Sequence, residues 1–269
     1  RCFGNALFGK FFMPDRDGTI REGRILNSVM TVRGLTRRFG NFLALDALSF
    51  DLHRGCITGL LGLNGAGKST TLSLLTGNLV PDSGEISFAG DASPSGSATL
   101  RGRFGYLPEG APLFEDLTVK AHLDTMAGLQ GLKSEARRDS IKKMMARFEL
   151  ERVAHQIIDT LSKGYRRRVA LAAACLGDPE ILILDEPTDG LDPFQNERIL
   201  DQLKAAREHQ TLLISTHNLS DVERLCDRVL ILKDGRLTFD GTLSDLKTTS
   251  DEGNLSHAFQ LLHSERNAA

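Results

Sequence analysis

The segment GLNGAGKST, residues 62–70, constrains the fold of this chain more than any other stretch. It fits the pattern G-x-x-x-x-G-K-[ST], follows the apolar run CITGLL and opens the helical run KSTTLSLLTG. Glycines at this spacing let the backbone wrap closely around phosphate oxygens, and consecutive N–H groups form a nest for an anion. We therefore predict a strand, a phosphate-binding loop and a helix, with Lys68 on the β- and γ-phosphates and the Ser69 hydroxyl on Mg²⁺. A fortuitous glycine loop is the alternative, and the strand–loop–helix context argues against it.

A second apolar run, ILILDE at residues 181–186, ends in two carboxylates. Asp185, at the end of the predicted strand, suits a role in holding Mg²⁺ through water. Glu186 follows, where a carboxylate polarises an attacking water as a general base. An acidic pair after a buried strand is also ordinary turn chemistry, and it is the phosphate-binding loop that favours the catalytic interpretation.

Short β-rich runs alternate with helical runs from Met30 onward. The β-rich runs are VMTVRGLTRRF, LALDALSFDL, CITGLLG, GEISFAG, FGYLPE, EILILDE, TLLISTH and RVLILKDGRLTFDG. This alternation predicts a parallel sheet that is covered on both faces.

The chain changes character between about residues 118 and 156, where the runs TVKAHLDTMAGLQG and SEARRDSIKKMMARFEL are helical. Ile141, Met144, Met145 and Phe148 recur at i, i+3, i+4 and i+7, which indicates a packing stripe rather than a cofactor site. We predict that this block is a helical subdomain inserted into the α/β fold.

Composition narrows the classes of partner. The chain has 269 residues, 41% of them hydrophobic and 25% charged, with a formal net charge of -2, so nothing favours broad binding to nucleic acid or to anionic membranes. Cys2, Cys56, Cys175 and Cys226 are scattered, and we expect free buried thiols in a reducing compartment. Because no apolar run approaches the roughly 18 residues of a membrane span, a role at a membrane requires docking onto another subunit.

Residues 1–29 lack the pattern of the rest of the chain and the uninterrupted apolar core of a signal peptide. We expect them to be a flexible extension or a product of start-site choice, with Met30 as the natural start. A docking arm is the alternative.

The segment LSKGY, residues 161–165, predicts a second anion-attracting turn, because it opens the helical run RRRVALAAACLG. Arg166, Arg167 and Arg168 fall in the first turn, where cations oppose the helix dipole. We expect nearby phosphate or acidic residues to offset them; exposure to solvent is the alternative for Arg167.

Together these motifs resemble those of the ATP-binding subunits of ABC transporters, in the family's order over about residues 30–241. The resemblance implies an α/β fold: a P-loop NTPase core with a mostly parallel sheet, an N-terminal antiparallel β-subdomain and an inserted α-helical subdomain. The implied divisions are an extension at 1–29, the ATPase domain at 30–245 with its helical subdomain at about 115–165, and a C-terminal helical tail at 246–269.

The resemblance also implies roles for individual residues. Phe39 would stack on adenine, and His217 would hydrogen-bond the γ-phosphate; taken alone, these are an ordinary core ring and an ordinary strand-end histidine. In this family two such domains pack head to tail, so Ser162 and the Gly164 N–H would contact ATP held by a second ABC ATPase subunit, with Asp192 of DGLDP at the same interface. The implied sets are, for nucleotide, Phe39, Gly62, Asn64, Gly65, Gly67, Lys68, Ser69, Thr70, Glu109, Ser162, Gly164 and Asp192; for catalysis, Glu186, His217 and Lys68; and for Mg²⁺, Ser69, Glu109 and Asp185.

Three positions depart from the family pattern. Glu109 of YLPE stands where the family usually has Gln, which adds negative charge beside Asp185 and Glu186. Lys163 and Tyr165 replace the second Gly and the final Gln of the signature LSGGQ, whereas the Ser and Gly that bind phosphate remain. YLPE together with LSKGY resembles a subset of bacterial exporters, for drugs, polysaccharides and gliding motility.

The implied function is that of a Mg²⁺-dependent ATPase subunit that dimerises on ATP, as a homo- or heterodimer, and drives export through a separate transmembrane permease. It would be peripheral, at the cytoplasmic face of the membrane, with no nucleic-acid partner. One alternative is a soluble ABC ATPase that moves no solute, of the iron–sulfur assembly type. Another is an inactive half of a heterodimer, against which Lys68, Asp185 and Glu186 argue. Nothing in the chain identifies a transported substrate.

Overall fold

The structure is a computed structural model that describes residues 28–89, 103–250 and 254–264. Within them the strands are β1 (Ser28–Phe39), β2 (Phe42–His53), β3 (Ile57–Leu61), β4 (Ser83–Phe88), β5 (Phe104–Leu107), β6 (Ile181–Asp185), β7 (Thr211–Ser215), β8 (Arg228–Lys233) and β9 (Arg236–Thr242). The helices are α1 (Lys68–Leu75), α2 (Val119–Leu129), α3 (Ser134–Arg147), α4 (Lys163–Ala174), α5 (Pro193–Ala206), α6 (Leu219–Leu225), α7 (Leu243–Thr248) and α8 (Leu255–Ser264).

The larger sheet has the strand order β5-β6-β7-β3-β8-β9, parallel throughout except that β9 runs antiparallel to β8. Every residue of β3, β6 and β7 is buried. These strands are near-continuous apolar runs because both faces of the sheet are covered. One face packs against α4, α5 and α6, and the other packs against α1 and the second sheet, which contains β1, β2 and β4. Their carboxyl ends lie at one edge, and parallel α/β sheets bind ligands at that edge.

The smaller sheet is antiparallel, with the order β2-β1-β4. Its apolar residues pack in one cluster with Leu60 of β3 and with Leu72, Leu74 and Leu75 of α1. The antiparallel sheet therefore packs directly beside the predicted phosphate-binding loop, which joins β3 to α1.

The inserted helices α2 and α3 are followed by two 3-10 turns, Glu151–Val153 and Ile158–Thr160. Ile141, Met144, Met145 and Phe148 are all buried in the core cluster that also contains α2 and α4. The prediction of a packing stripe is confirmed, as is the α/β class with its mostly parallel sheet, antiparallel sheet and inserted helices.

Several local predictions need correction. β1 begins at Ser28, so the last two residues assigned to the extension belong to a strand. The run RVLILKDGRLTFDG is a hairpin rather than one strand, because Asp234 and Gly235 both take positive φ, as a tight turn between antiparallel strands requires. Cys175 and Cys226 are buried, but Cys56 is only half-buried.

Some predictions fall beyond the described part of the chain. Residues 1–27, which include Cys2, lie outside it, as does the serine- and glycine-rich stretch 90–102. The C-terminal tail contains α8 and the end of α7, with 251–253 and 265–269 outside the description. None of the described helices combines the length and the apolar character that crossing a membrane demands.

Candidate functional site

The loop between β3 and α1 has the backbone of a phosphate cradle. Gly65 and Gly67 take φ values of +81° and +106°, a left-handed conformation that side chains disfavour. A Cβ at Gly67 would also lie 2.9 Å from the Ala44 carbonyl oxygen, whereas Gly65 has open space around it. The loop is thus shaped by both conformation and close packing, as the motif predicts.

Lys68 lies inside this loop. Its side chain is 9% exposed, and its Nζ donates to the carbonyl oxygens of Gly62, at 2.7 Å, and Leu63, at 3.3 Å. Asn64, Gly65 and Ser69 are exposed on the same loop, and Thr70 is half-buried. The predicted phosphate-binding residues of this loop are therefore together, with the Lys68 ammonium held against the loop's carbonyl oxygens.

The carboxylate of Asp185 lies at the end of β6 and is 2% exposed. Its register partner on β7 is Ser215, whose hydroxyl is buried without a hydrogen-bond partner among the described residues. A buried carboxylate beside an unpartnered hydroxyl fits a hydrated cation, because both groups offer oxygen to its water ligands. The described residues contain no cluster of three carboxylate, histidine or cysteine side chains that could hold a metal by themselves. The Asp185 carboxylate and the Ser215 hydroxyl therefore fit a Mg²⁺ that is bound through water.

Tyr106 of β5 extends the environment of Asp185. Burial raises the pKa of its phenol to about 12, with the negative charges of Asp185 and Glu109 adding to the shift and a hydrogen bond with the Ser73 side chain opposing it. The phenol consequently stays protonated at physiological pH. Glu109 itself is exposed, two residues beyond the end of β5.

Glu186 follows Asp185 in a left-handed conformation, with φ +47°. Its Oε1 lies 2.8 Å from Nδ1 of His217, which follows the neighbouring strand β7. The Glu186 side chain is 14% exposed and that of His217 64%. The pair that the sequence places 31 residues apart is thus in hydrogen-bond contact, with the histidine on the solvent side.

The three arginines at the start of α4 have different partners. Arg166 pairs with Glu115 and Asp159, and Arg168 pairs with Glu149. Arg167 is 7% exposed, so the expectation of a solvated Arg167 is wrong. Its Nη2 donates to the carbonyl oxygen of Glu186 at 2.7 Å.

The LSKGY turn opens α4 as predicted, with Ser162 as its N-cap. The Ser162 hydroxyl accepts from the Tyr165 N–H at 3.4 Å. Gly164 is buried, and a Cβ there would overlap the Gln195 side-chain oxygen. Asp192 caps α5 by accepting from the N–H groups of Phe194, at 3.0 Å, and Gln195, at 2.9 Å. Gln195 therefore lies against Gly164 and also donates to Asp192. Ser162, Gly164 and Asp192 form a second group of predicted residues.

Phe39 lies at the end of β1, in the antiparallel sheet, and is 45% exposed. The guanidinium carbon of Arg37 lies 5.0 Å from the centre of its ring. The interpretation of Phe39 as a core ring is therefore wrong, and its aromatic surface is accessible to a ligand.

Sequence analysis missed one buried network beside Glu186. Asp221 of α6 accepts from the Thr188 hydroxyl at 2.7 Å and from the Asn196 side-chain nitrogen at 3.0 Å. These contacts fix the segment after Glu186 onto α5 and α6. No spacing rule joins residues that lie 33 and 25 positions apart, so the linear sequence held no signal for the network.

Comparisons with known proteins agree with this geometry. Residues 45–189 match the family model described as ABC transporter. The chain is 39% identical over 210 residues to the Nod factor export ATP-binding protein I of Burkholderia lata, covering 78% of this chain and 69% of that protein. It is 36% identical over 249 residues to the probable multidrug ABC transporter ATP-binding protein YbhF of Escherichia coli K12, covering 90% of this chain but only 43% of that protein.

A solved structure of the ATP-binding subunit of an ABC transporter superposes with a TM-score of 0.78 at 32% identity, covering 87% of this chain and 99% of that one. The chain belongs to the ABC transporter family and carries its ATP-binding cassette. It spans less than half of the length of the Escherichia coli relative.

Proposed function

We propose that this protein hydrolyses ATP with Mg²⁺ to drive export through a separate transmembrane permease. The observation that carries the proposal is the placement of Glu186, whose carboxylate follows the buried Asp185 and contacts His217 at the edge of the sheet where the phosphate-binding loop lies. The names of the relatives, which are export and multidrug proteins, support the direction of transport.

In this proposal Lys68 and the N–H groups of residues 62–70 bind the β- and γ-phosphates, and Phe39 stacks on the base. Ser69, Asp185 and Glu109 would hold Mg²⁺, which neutralises charge on the phosphate oxygens when bound. Glu186 accepts a proton from water while the water oxygen attacks the γ-phosphorus. The bond between the γ-phosphorus and the β–γ bridging oxygen breaks, and ADP leaves with that oxygen. His217, in contact with Glu186, donates a hydrogen bond to the transferred phosphoryl group.

The two groups of residues described above support a head-to-tail dimer. Ser162, Gly164 and Asp192 would contact nucleotide bound to the Lys68 loop of a second ABC ATPase subunit, of the same or a different chain. A helix N-terminus suits phosphate because its field favours negative charge. The subunit would then act as a peripheral protein at the cytoplasmic face of the membrane.

The test uses Glu186→Gln, which retains the phosphate-binding loop but lacks the base. We expect its steady-state ATPase rate to fall by roughly a hundredfold or more, while it stays in the ATP-bound dimer. Expressed with a tag in its host and solubilised in mild detergent with ATP and Mg²⁺, this variant should co-purify with a polytopic membrane protein. The double variant Glu186→Gln with Lys68→Ala is the matched control and should not form the ATP-bound dimer. Recovery of soluble partners alone would favour the non-transport class, such as iron–sulfur assembly ATPases.

A further inference from the structure

We propose that Arg167 is a positioning residue for Glu186, one that holds the peptide from which the catalytic carboxylate projects. This inference rests on the proposed role of Glu186 as general base. It is carried by a contact between α4 and the end of β6 that joins residues 19 positions apart.

Glu186 has an unfavourable backbone conformation. With φ at +47° it occupies the left-handed region, which is unfavourable for a residue with a Cβ and persists only where surrounding contacts hold it. Its N–H donates to the Ser215 carbonyl oxygen at 2.9 Å, which holds the N-terminal side of the residue to β7. This is the conformation in which the carboxylate contacts His217.

The carbonyl group of Glu186 is held as well as its N–H group. The Glu186 carbonyl oxygen accepts from Nη2 of Arg167 at 2.7 Å and from the Asp189 N–H at 3.1 Å. The same Nη2 lies 3.4 Å from the Asp189 carbonyl oxygen. A single guanidinium thus holds both ends of the short turn that begins at Glu186, and its planar shape keeps the donor directed.

Filling buried space does not by itself account for an arginine at position 167. Arg167 is buried, and its Nη1 has no hydrogen-bond partner among the described residues. Burial lowers the pKa of its guanidinium, whereas the negative charges of Asp189 and Glu186 raise it. An apolar side chain of similar length would fill the same space without this desolvation cost. We therefore attribute the presence of an arginine to the hydrogen bonds by which it holds the turn at Glu186.

The test compares Arg167→Met, which keeps the length but removes the donors, with Arg168→Met as the matched control. Arg168 is the next residue of α4, but it contacts Phe148, Glu149 and the ring of Tyr165 rather than the turn at Glu186. We expect Arg167→Met to lower kcat roughly tenfold to a hundredfold, since small displacements of a catalytic group have effects of that size. The dissociation constant for ATP should change less than about twofold, and Arg168→Met should retain the wild-type kcat.

Arg167→Lys keeps the proposal falsifiable if Arg167→Met folds poorly, and a double variant tests whether Arg167 acts through Glu186. Arg167→Lys retains the charge and can still donate to a carbonyl oxygen but lacks the rigid planar donors, so it should recover part of the lost kcat. Arg167→Met added to Glu186→Gln should lower the residual rate no further, because a residue that acts through Glu186 has nothing left to position. A wild-type kcat in Arg167→Met, or full additivity with Glu186→Gln, would overturn the inference. If Glu186→Gln itself retains the wild-type rate, the proposed function fails first, and the two failures are distinct.

Discussion

The glycines of the phosphate-binding loop are held by different constraints. Gly65 has open space where a Cβ would lie, so only its φ of +81° opposes a side chain. At Gly67 a Cβ would lie 2.7 Å from Leu45 Cδ2 and 2.9 Å from the Ala44 carbonyl oxygen, in addition to a φ of +106°. Gly67 therefore depends on the antiparallel sheet in a way that Gly65 does not.

Substitution of these two glycines separates strain from packing. Gly65→Ala should lower the free energy of unfolding by about 1 kcal/mol through left-handed strain alone. Gly67→Ala should lower it by roughly 2–4 kcal/mol, because backbone atoms of residue 44 must also move. Urea unfolding followed by circular dichroism measures both values. Equal losses in the two variants would contradict the role assigned to the packing at Gly67.

Single residues also mark the limit of what the sequence predicts. Lys68, Asp185 and Glu186 were identified because their motifs are local, and the structure brings them to one edge of one sheet. The burial of Arg167 was missed because it depends on a carbonyl group 19 positions away in the chain. The left-handed turn at Glu186 was missed for a related reason, since nothing in a glutamate's own preferences predicts positive φ.

At the scale of elements, α3 depends on one aromatic anchor. Phe148 follows the last residue of the helix and is fully buried in the cluster that joins α3 to α2 and α4. The helix itself is rich in charged residues, so Phe148 and a few apolar neighbours supply its buried contacts. Exposed ion pairs of Arg137 with Asp124 and of Lys143 with Asp178 add to them.

We expect Phe148→Ala to lower the free energy of unfolding by roughly 3–5 kcal/mol, as truncation of a buried aromatic does. Phe194→Ala is the matched control because the ring of Phe194 is largely exposed at the start of α5. Its loss should stay within about 0.5 kcal/mol. Chemical denaturation measures both, and a small loss at Phe148 would show that α3 is held by other contacts.

Periodicity predicted the elements well where one face or both faces are buried. The apolar stripe that runs along α3 to Phe148 and the apolar runs of β3, β6 and β7 were assigned from spacing alone. Prediction was weaker where a turn divides a continuous β-rich run, as at Asp234 and Gly235 between β8 and β9. The order of strands in the sheet was not predictable, because β3 lies between β7 and β8 through contacts that no local pattern encodes.

At the scale of the whole molecule, ligand binding and stability are linked. ATP with Mg²⁺ present at about a hundred times its dissociation constant should stabilise the folded state by about 2.7 kcal/mol. For a chain of this size that corresponds to a rise in Tm of roughly 5–10 °C. Thermal melts with ATP and Mg²⁺, with ATP and EDTA, and without ligand measure the effect.

The control for the melts is Lys68→Ala, which removes the central ammonium of the loop. We expect its Tm to be insensitive to ATP. EDTA should reduce the rise in the wild-type protein, because Asp185 then faces the phosphates without a cation between them. A rise that is the same with and without Mg²⁺ would argue against the metal site at Ser69 and Asp185.

The hydrogen bonds around the loop also set an order on folding. The Gly235 N–H donates to the Ala66 carbonyl oxygen at 3.1 Å, and the Asp46 N–H donates to the Gly235 carbonyl oxygen at 2.9 Å. The loop of residues 62–70 is therefore held by a segment before it in the chain, at Asp46, and by a segment about 170 residues after it, at Gly235. Contacts between residues so far apart in the chain form slowly. During synthesis, which proceeds from the N-terminus, the glycine loop leaves the ribosome early, and we expect it to acquire its full set of hydrogen bonds only after the turn at Gly235 has followed it.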